Sequence, residues 1–146
     1  MSMVHKEIFS WIVGFLYCLC GTLQILSALE PEFARILAAY LIPSDIVSGF
    51  VLWVIGAVFI VGAQEIRARI AGGEAFLYVG MLLSVAFGLI ILLDLGAVGI
   101  DTIVFREGKT TWSVSQMIVP MLYLAVFSLV GFAAWGRGFI ADIIPT

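Results

Sequence analysis

Gln24, Asp94 and Gln116 are the side chains whose type and place could carry chemistry in this sequence. A carboxylate that exchanges a proton, flanked by amides that exchange hydrogen bonds, is a candidate polar path through an apolar protein. Asp94 follows directly on an uncharged run, residues 75–93. A carboxylate costs a few kcal/mol at a bilayer centre and less at its edge, and Asp101 lies just beyond, so an interfacial or capping role is expected ahead of ion conduction. A helix C-terminus carries partial negative charge, so Arg35 or Lys109 is expected to compensate Asp94 there. Gln24 lies about two-thirds of the way along another uncharged run, residues 8–29, beside Thr22 and Ser27. Its expected role is an interhelical hydrogen bond, worth about 0.6 kcal/mol, ahead of contact with a substrate. Ser113 and Gln116 have capping-box spacing, and Pro120 removes the N–H that would bond the Gln116 carbonyl, which predicts a kink.

Other chemistry is narrowed by composition. With one histidine, His5, and two cysteines, the chain cannot build a bis-His haem, a histidine metal site, a His-dependent triad or a four-Cys iron–sulfur centre. Cys18 and Cys20, two apart on a helix, point about 200° from each other and cannot bridge. Each reads as a small buried hydrophobe. No nucleophile is paired with a base in a readable motif, so no cofactor is expected and enzyme is the least favoured class.

The elements that must position these residues are four runs free of Asp, Glu, Lys and Arg: 8–29, 46–64, 75–93 and 112–136. At about 1.5 Å per residue each crosses a hydrocarbon core of roughly 30 Å. With 63% hydrophobic and 12% charged residues and a mean hydropathy of +1.19, the composition leaves little chain for water. The expectation is an all-α integral membrane protein, a four-transmembrane-helix bundle forming a single domain over 1–146. The first run is longer than a signal h-region, and no small-x-small site follows Leu29, so it reads as a retained span. The net charge of −3 includes no basic cluster, which argues against nucleic-acid partners.

The connections differ. Pro31 and Glu32 suit a first turn, and Phe33, Ile36, Leu37, Tyr40 and Leu41 form an apolar stripe until Pro43, predicting a short interfacial helix over about 32–42. Ser44 and Asp45 then cap the second span. Residues 65–74, with Gly72 and Gly73, suffice for a tight turn. Residues 102–105 and 110–113 are β-branched and aromatic around Arg106-Glu107-Gly108-Lys109, predicting a β-hairpin over about 102–113 that packs with the interfacial helix as a cap. Phe139, Ile140, Ile143 and Ile144 suit a tail returning to the interface. Trp11, Trp112 and Trp135 fall at span ends, whereas Trp53 falls mid-span, where its indole N–H needs a partner in the bundle or in a neighbouring chain.

Small residues every fourth position suggest helix packing: Ser10, Gly14, Cys18 and Thr22 on the first span, and Gly80, Ser84 and Gly88 on the third. Gly49/Gly56 and Ala125/Ser128/Gly131/Ala134 form looser sets on the other two. Packing within the chain is expected ahead of packing against another subunit. Lys6, Arg67, Arg69 and Arg137 on the side of both termini outnumber Arg35, Arg106 and Lys109, which places both termini in the cytoplasm.

Spans this poor in polar groups lead to a small accessory subunit of a larger membrane complex. Its partners are membrane lipid and other integral-membrane subunits, a hetero-oligomer ahead of a homo-oligomer. The alternative is a homo-oligomeric transporter or channel with Gln24, Asp94 and Gln116 along its path. A third class is a membrane enzyme or redox subunit sharing a cofactor with another chain.

Overall fold

A computed structural model describes residues 3–70, 72–104 and 119–143, with side chains for 3–70, 72–101 and 119–136. Its helices are α1 (Met3–Leu29), α2 (Pro31–Ala38), α3 (Ile46–Arg67), α4 (Gly73–Val104) and α5 (Pro120–Ile143). Three of them, α1, α3 and α4, are long and apolar enough to cross a membrane, and α5 adds a shorter apolar stretch, Pro120–Gly136. No strand occurs among the described residues.

That corrects the expected hairpin over 102–113. Residues 102–104 continue α4 instead. Extending an existing helix by Thr, Ile and Val costs at most about 0.7 kcal/mol per residue relative to Ala, and each residue gains a hydrogen bond. An isolated two-stranded hairpin offers little in return. Residues 105–118, including Lys109, Trp112 and Gln116, lie outside the described residues. The expected kink at Pro120 is replaced by a helix start, since Val119 is not helical and Pro120 opens α5, where a missing N–H costs nothing.

Two helix ends close by the same device. After α2, the Ile42 N–H bonds the Leu37 carbonyl while Leu41 turns left-handed at φ 61°. After α3, the Ile70 N–H bonds the Glu65 carbonyl while Arg69 turns left-handed at φ 53°. These are Schellman closures with bulky residues where glycine is the usual occupant. The first ends α2 before Pro43 and buries Leu37 and Ile42, while Phe33, Ile36 and Tyr40 stay exposed. Asp45 caps α3, accepting from the Val47 N–H at 2.9 Å and from the Ser48 hydroxyl at 2.5 Å. The Ser48 hydroxyl, the largest influence, holds its carboxyl below the usual range against the opposing effect of burial, and the Ser48 and Val47 backbone N–H groups add smaller pulls in the same direction.

Neighbouring helices run α1, α3, α4, α5, with α2 packed on α1 and only sparse contact closing α5 back onto α1. The core gathers Tyr17, Leu52, Ile55, Phe59, Leu77 and Met81. Along α1 the buried positions are Ser10, Val13, Gly14, Tyr17, Cys20, Gly21, Gln24 and Ser27. This is a heptad seam, which drifts about 20° per repeat on a straight helix and so keeps facing the same neighbours.

Candidate functional site

The seam of α1 presents Ser10, Tyr17 and Gln24 to the interior at seven-residue intervals, all essentially without solvent exposure. They span about 21 Å of helix. The Ser10 hydroxyl donates to the Phe59 carbonyl at 2.6 Å, which joins α1 to α3. Tyr17 stacks on Phe59, with ring centroids 5.8 Å apart, and its hydroxyl reaches across the bundle to share a hydrogen bond with Ser84 of α4. Ser128 of α5 faces the same tyrosine hydroxyl without reaching hydrogen-bond geometry. Cys20 meets the Tyr123 hydroxyl at 3.8 Å. Three helices thus direct neutral polar groups at one level of the interior.

Among the described residues, Gln24 Oε1, Ser128 Oγ and Trp135 Nε1 are buried with no hydrogen-bond partner. Such groups are costly in an apolar surrounding.

Gln24 lies in this interior, next to Gly49 of α3. Asp94 does not join it, being exposed near the far end of α4. From Gly73 to Asp94 the helix runs about 32 Å, so the carboxylate sits one hydrocarbon thickness from the start of α4. Gln116 lies outside the described residues, and of the other two candidate path residues Asp94 is not brought to Gln24.

The four-residue stripes behave as helix geometry requires. Each step of four rotates about 40° around the axis. On α1 the stripe therefore winds from buried Ser10 and Gly14 through half-buried Cys18 to exposed Thr22. On α4 it winds past different partners: Gly80 faces Phe59, Ser84 meets Tyr17, and Gly88 lies against Ala125.

The closest approach uses glycines seven apart. A Cβ on Gly21 would lie 2.6 Å from the Gly49 carbonyl oxygen, and one on Gly56 would lie 2.9 Å from the Gly14 carbonyl oxygen. Gly14/Gly21 thus meets Gly56/Gly49 in antiparallel register, backbone to backbone. Gly21 and Tyr17 were missed by a four-residue template. The shared spacing of seven in both glycine pairs, and in Ser10, Tyr17 and Gln24, was the available signal.

Outside this seam, the Trp53 indole donates to the Thr22 hydroxyl at 3.2 Å on the exposed face of the α1–α3 pair. At the end where α1 begins, Lys6 pairs with Glu74 and lies 5.7 Å from the centre of the Tyr78 ring. The Tyr78 hydroxyl donates to the Trp135 carbonyl at 3.2 Å, and Trp135 meets Phe9 edge-on with centroids 5.0 Å apart. This end of the bundle is tied through α1, α4 and α5.

Over residues 3–137 the sequence matches the MJ0565 integral membrane domain. The chain belongs to that family. No curated protein and no solved structure matches it. Membership and the apolar helices together make this MJ0565-family domain an integral membrane protein with several membrane-spanning helices in a lipid environment. Among the described residues of this domain, no cluster of three or more His, Cys, Asp or Glu side chains is placed to hold a metal ion.

Proposed function

We propose that this domain is a small accessory subunit of a larger integral-membrane complex, supplying helix packing and lipid-facing surface rather than catalysis. The observation that carries the reading is the division of polar chemistry. The described interior holds neutral hydroxyls, a thiol and an amide, whereas Asp94 and Asp101 are exposed at one end and Lys6 and Glu74 pair at the other. An ion path needs charge or many polar groups at successive depths, and a closed neutral seam suits a scaffold better.

In this reading α5 is the fourth span, since its 24 residues amount to about 36 Å of helix. Both termini are cytoplasmic, in keeping with Arg67 and Arg69 at the turn between α3 and α4. Extraction in mild detergent followed by native mass measurement is expected to recover the chain with different polypeptides. A stable homo-oligomer that conducts solute in liposomes would overturn the reading.

A second reading, a homo-oligomeric transporter or channel, draws on the unpartnered Gln24 Oε1 and Ser128 Oγ, which lie at two depths of the interior. It requires that Gln24→Leu abolish flux in proteoliposomes. Flux that survives Asp94→Asn removes the carboxylate from the path.

A further inference from the structure

Where α1 begins, α3 ends and α4 starts, the chain forms a cleft of about 600 Å³. That volume lies within the range of small-molecule sites. Met3, Val4 and Ile70 give it apolar wall, and all three are more than half exposed. Arg67 and Arg69 stand at the same cleft, both exposed. Three spanning helices end here, so the cleft sits at the boundary between hydrocarbon and water.

Its charges do not cancel. Glu74 is taken by Lys6. Among the described residues, Arg67 and Arg69 have no ion-pair partner, which leaves two cations against the single carboxylate of Glu7. The backbone adds an independent observation. Arg69 occupies the left-handed position of the α3 closure, where glycine would sit without steric cost, while the nearby Gly72 takes φ 100° with nothing within 4 Å of where its Cβ would be. Leu41 closes α2 in the same conformation, so the strain does not by itself mark a site; it fixes Arg69 at the mouth of the cleft.

We propose that this cleft binds an anionic phospholipid, its phosphate on Arg67 and Arg69 and an acyl chain along Met3, Val4 and Ile70. Cations level with the headgroups beside apolar side chains facing the acyl region match the two halves of such a lipid. A soluble phosphate compound would leave the apolar wall unused. The assignment is independent of whether the chain serves as an accessory subunit or a transporter.

The test is native mass spectrometry of the full chain in detergent, with phosphatidylglycerol, phosphatidylcholine or inorganic phosphate added. Phosphatidylglycerol is expected to be retained in preference to phosphatidylcholine, and inorganic phosphate is expected not to displace it. Each arginine is expected to contribute about fivefold, the strength of one basic residue near an anionic headgroup, so Arg67→Gln with Arg69→Gln removes the preference. Arg35→Gln, at the opposite end, leaves it unchanged. Arg69→Gly provides an arm that survives poor folding of the double variant, because it relieves the backbone while removing the charge. It should melt no lower than the parent and still lose about fivefold in phosphatidylglycerol retention. Unchanged retention in Arg69→Gly, equal retention of the two lipids, or displacement by inorganic phosphate would overturn the proposal.

Discussion

Helix α1 meets two of its neighbours, α3 and α5, in opposite ways. Against α3 the contact is backbone on backbone, at Gly14 with Gly56 and Gly21 with Gly49, reinforced by the Ser10 hydroxyl on the Phe59 carbonyl. Against α5 the backbones stand apart and aromatic side chains fill the gap: Phe9 edge-on to Trp135, and Tyr123 beside Cys20. Lipid tails are as apolar as the helices, so burial of apolar surface does not draw helices together in a membrane and close packing must. One seam is therefore defined by missing side chains and tolerates no addition. The other is defined by large aromatic rings that bridge the gap between the helices. Of the three unpartnered buried groups among the described residues, the Ser128 hydroxyl and the Trp135 indole N–H belong to α5, whereas Gln24 Oε1 belongs to α1, beside Gly49 of the tighter seam.

The comparison is broken most severely at Gly21. Gly21→Ile drives a branched side chain into the Gly49 carbonyl and is expected to cost about 3 kcal/mol, read by reversible unfolding in mixed micelles. A loss below about 1 kcal/mol would mean that the α1–α3 seam repacks. On the α5 side, Phe9→Leu keeps the bulk and loses the edge-on ring, for an expected cost of about 1 to 1.5 kcal/mol by the same assay.

Asp45 sharpens the contrast, because it caps α3 alone. Asp45→Ala is expected to cost about 1 kcal/mol near neutral pH. The folded carboxyl titrates below its unfolded value of about 3.9, so the cap contributes fully above that pH and is lost as acid protonates the folded group. The difference between parent and variant should therefore close below about pH 4, and a constant difference across that range would show that the charge is irrelevant. The smallest effect is expected at Trp53→Phe, which loses only the bond to Thr22, about 0.6 kcal/mol in unfolding free energy.

Legibility in the sequence followed the strength of each physical signal. The uncharged runs located α1, α3 and the first part of α4, because charge is excluded from hydrocarbon whatever the fold. Asp94 ended the third run without ending the helix, which also runs through Asp101, since an exposed carboxylate on a helix near the edge of the hydrocarbon costs little. Thr102, Ile103 and Val104 look like strand by type, yet α4 was already propagating when it reached them. At the candidate site, the depth of Gln24 was readable from its position in the run, and Trp53 could be said to need a partner but not which one. The level shared by Tyr17, Ser84 and Ser128 was hidden, because it depends on the register between three helices.

Helix α4 continues for about eleven residues from Asp94, up to roughly 16 Å, whereas α3 closes at Arg67 just before α4 begins. Among the described residues the two ends of the bundle are therefore built differently: one closes in the short turn from α3 to α4, and the other carries the far end of α4 as a helical post bearing the exposed Asp94 and Asp101.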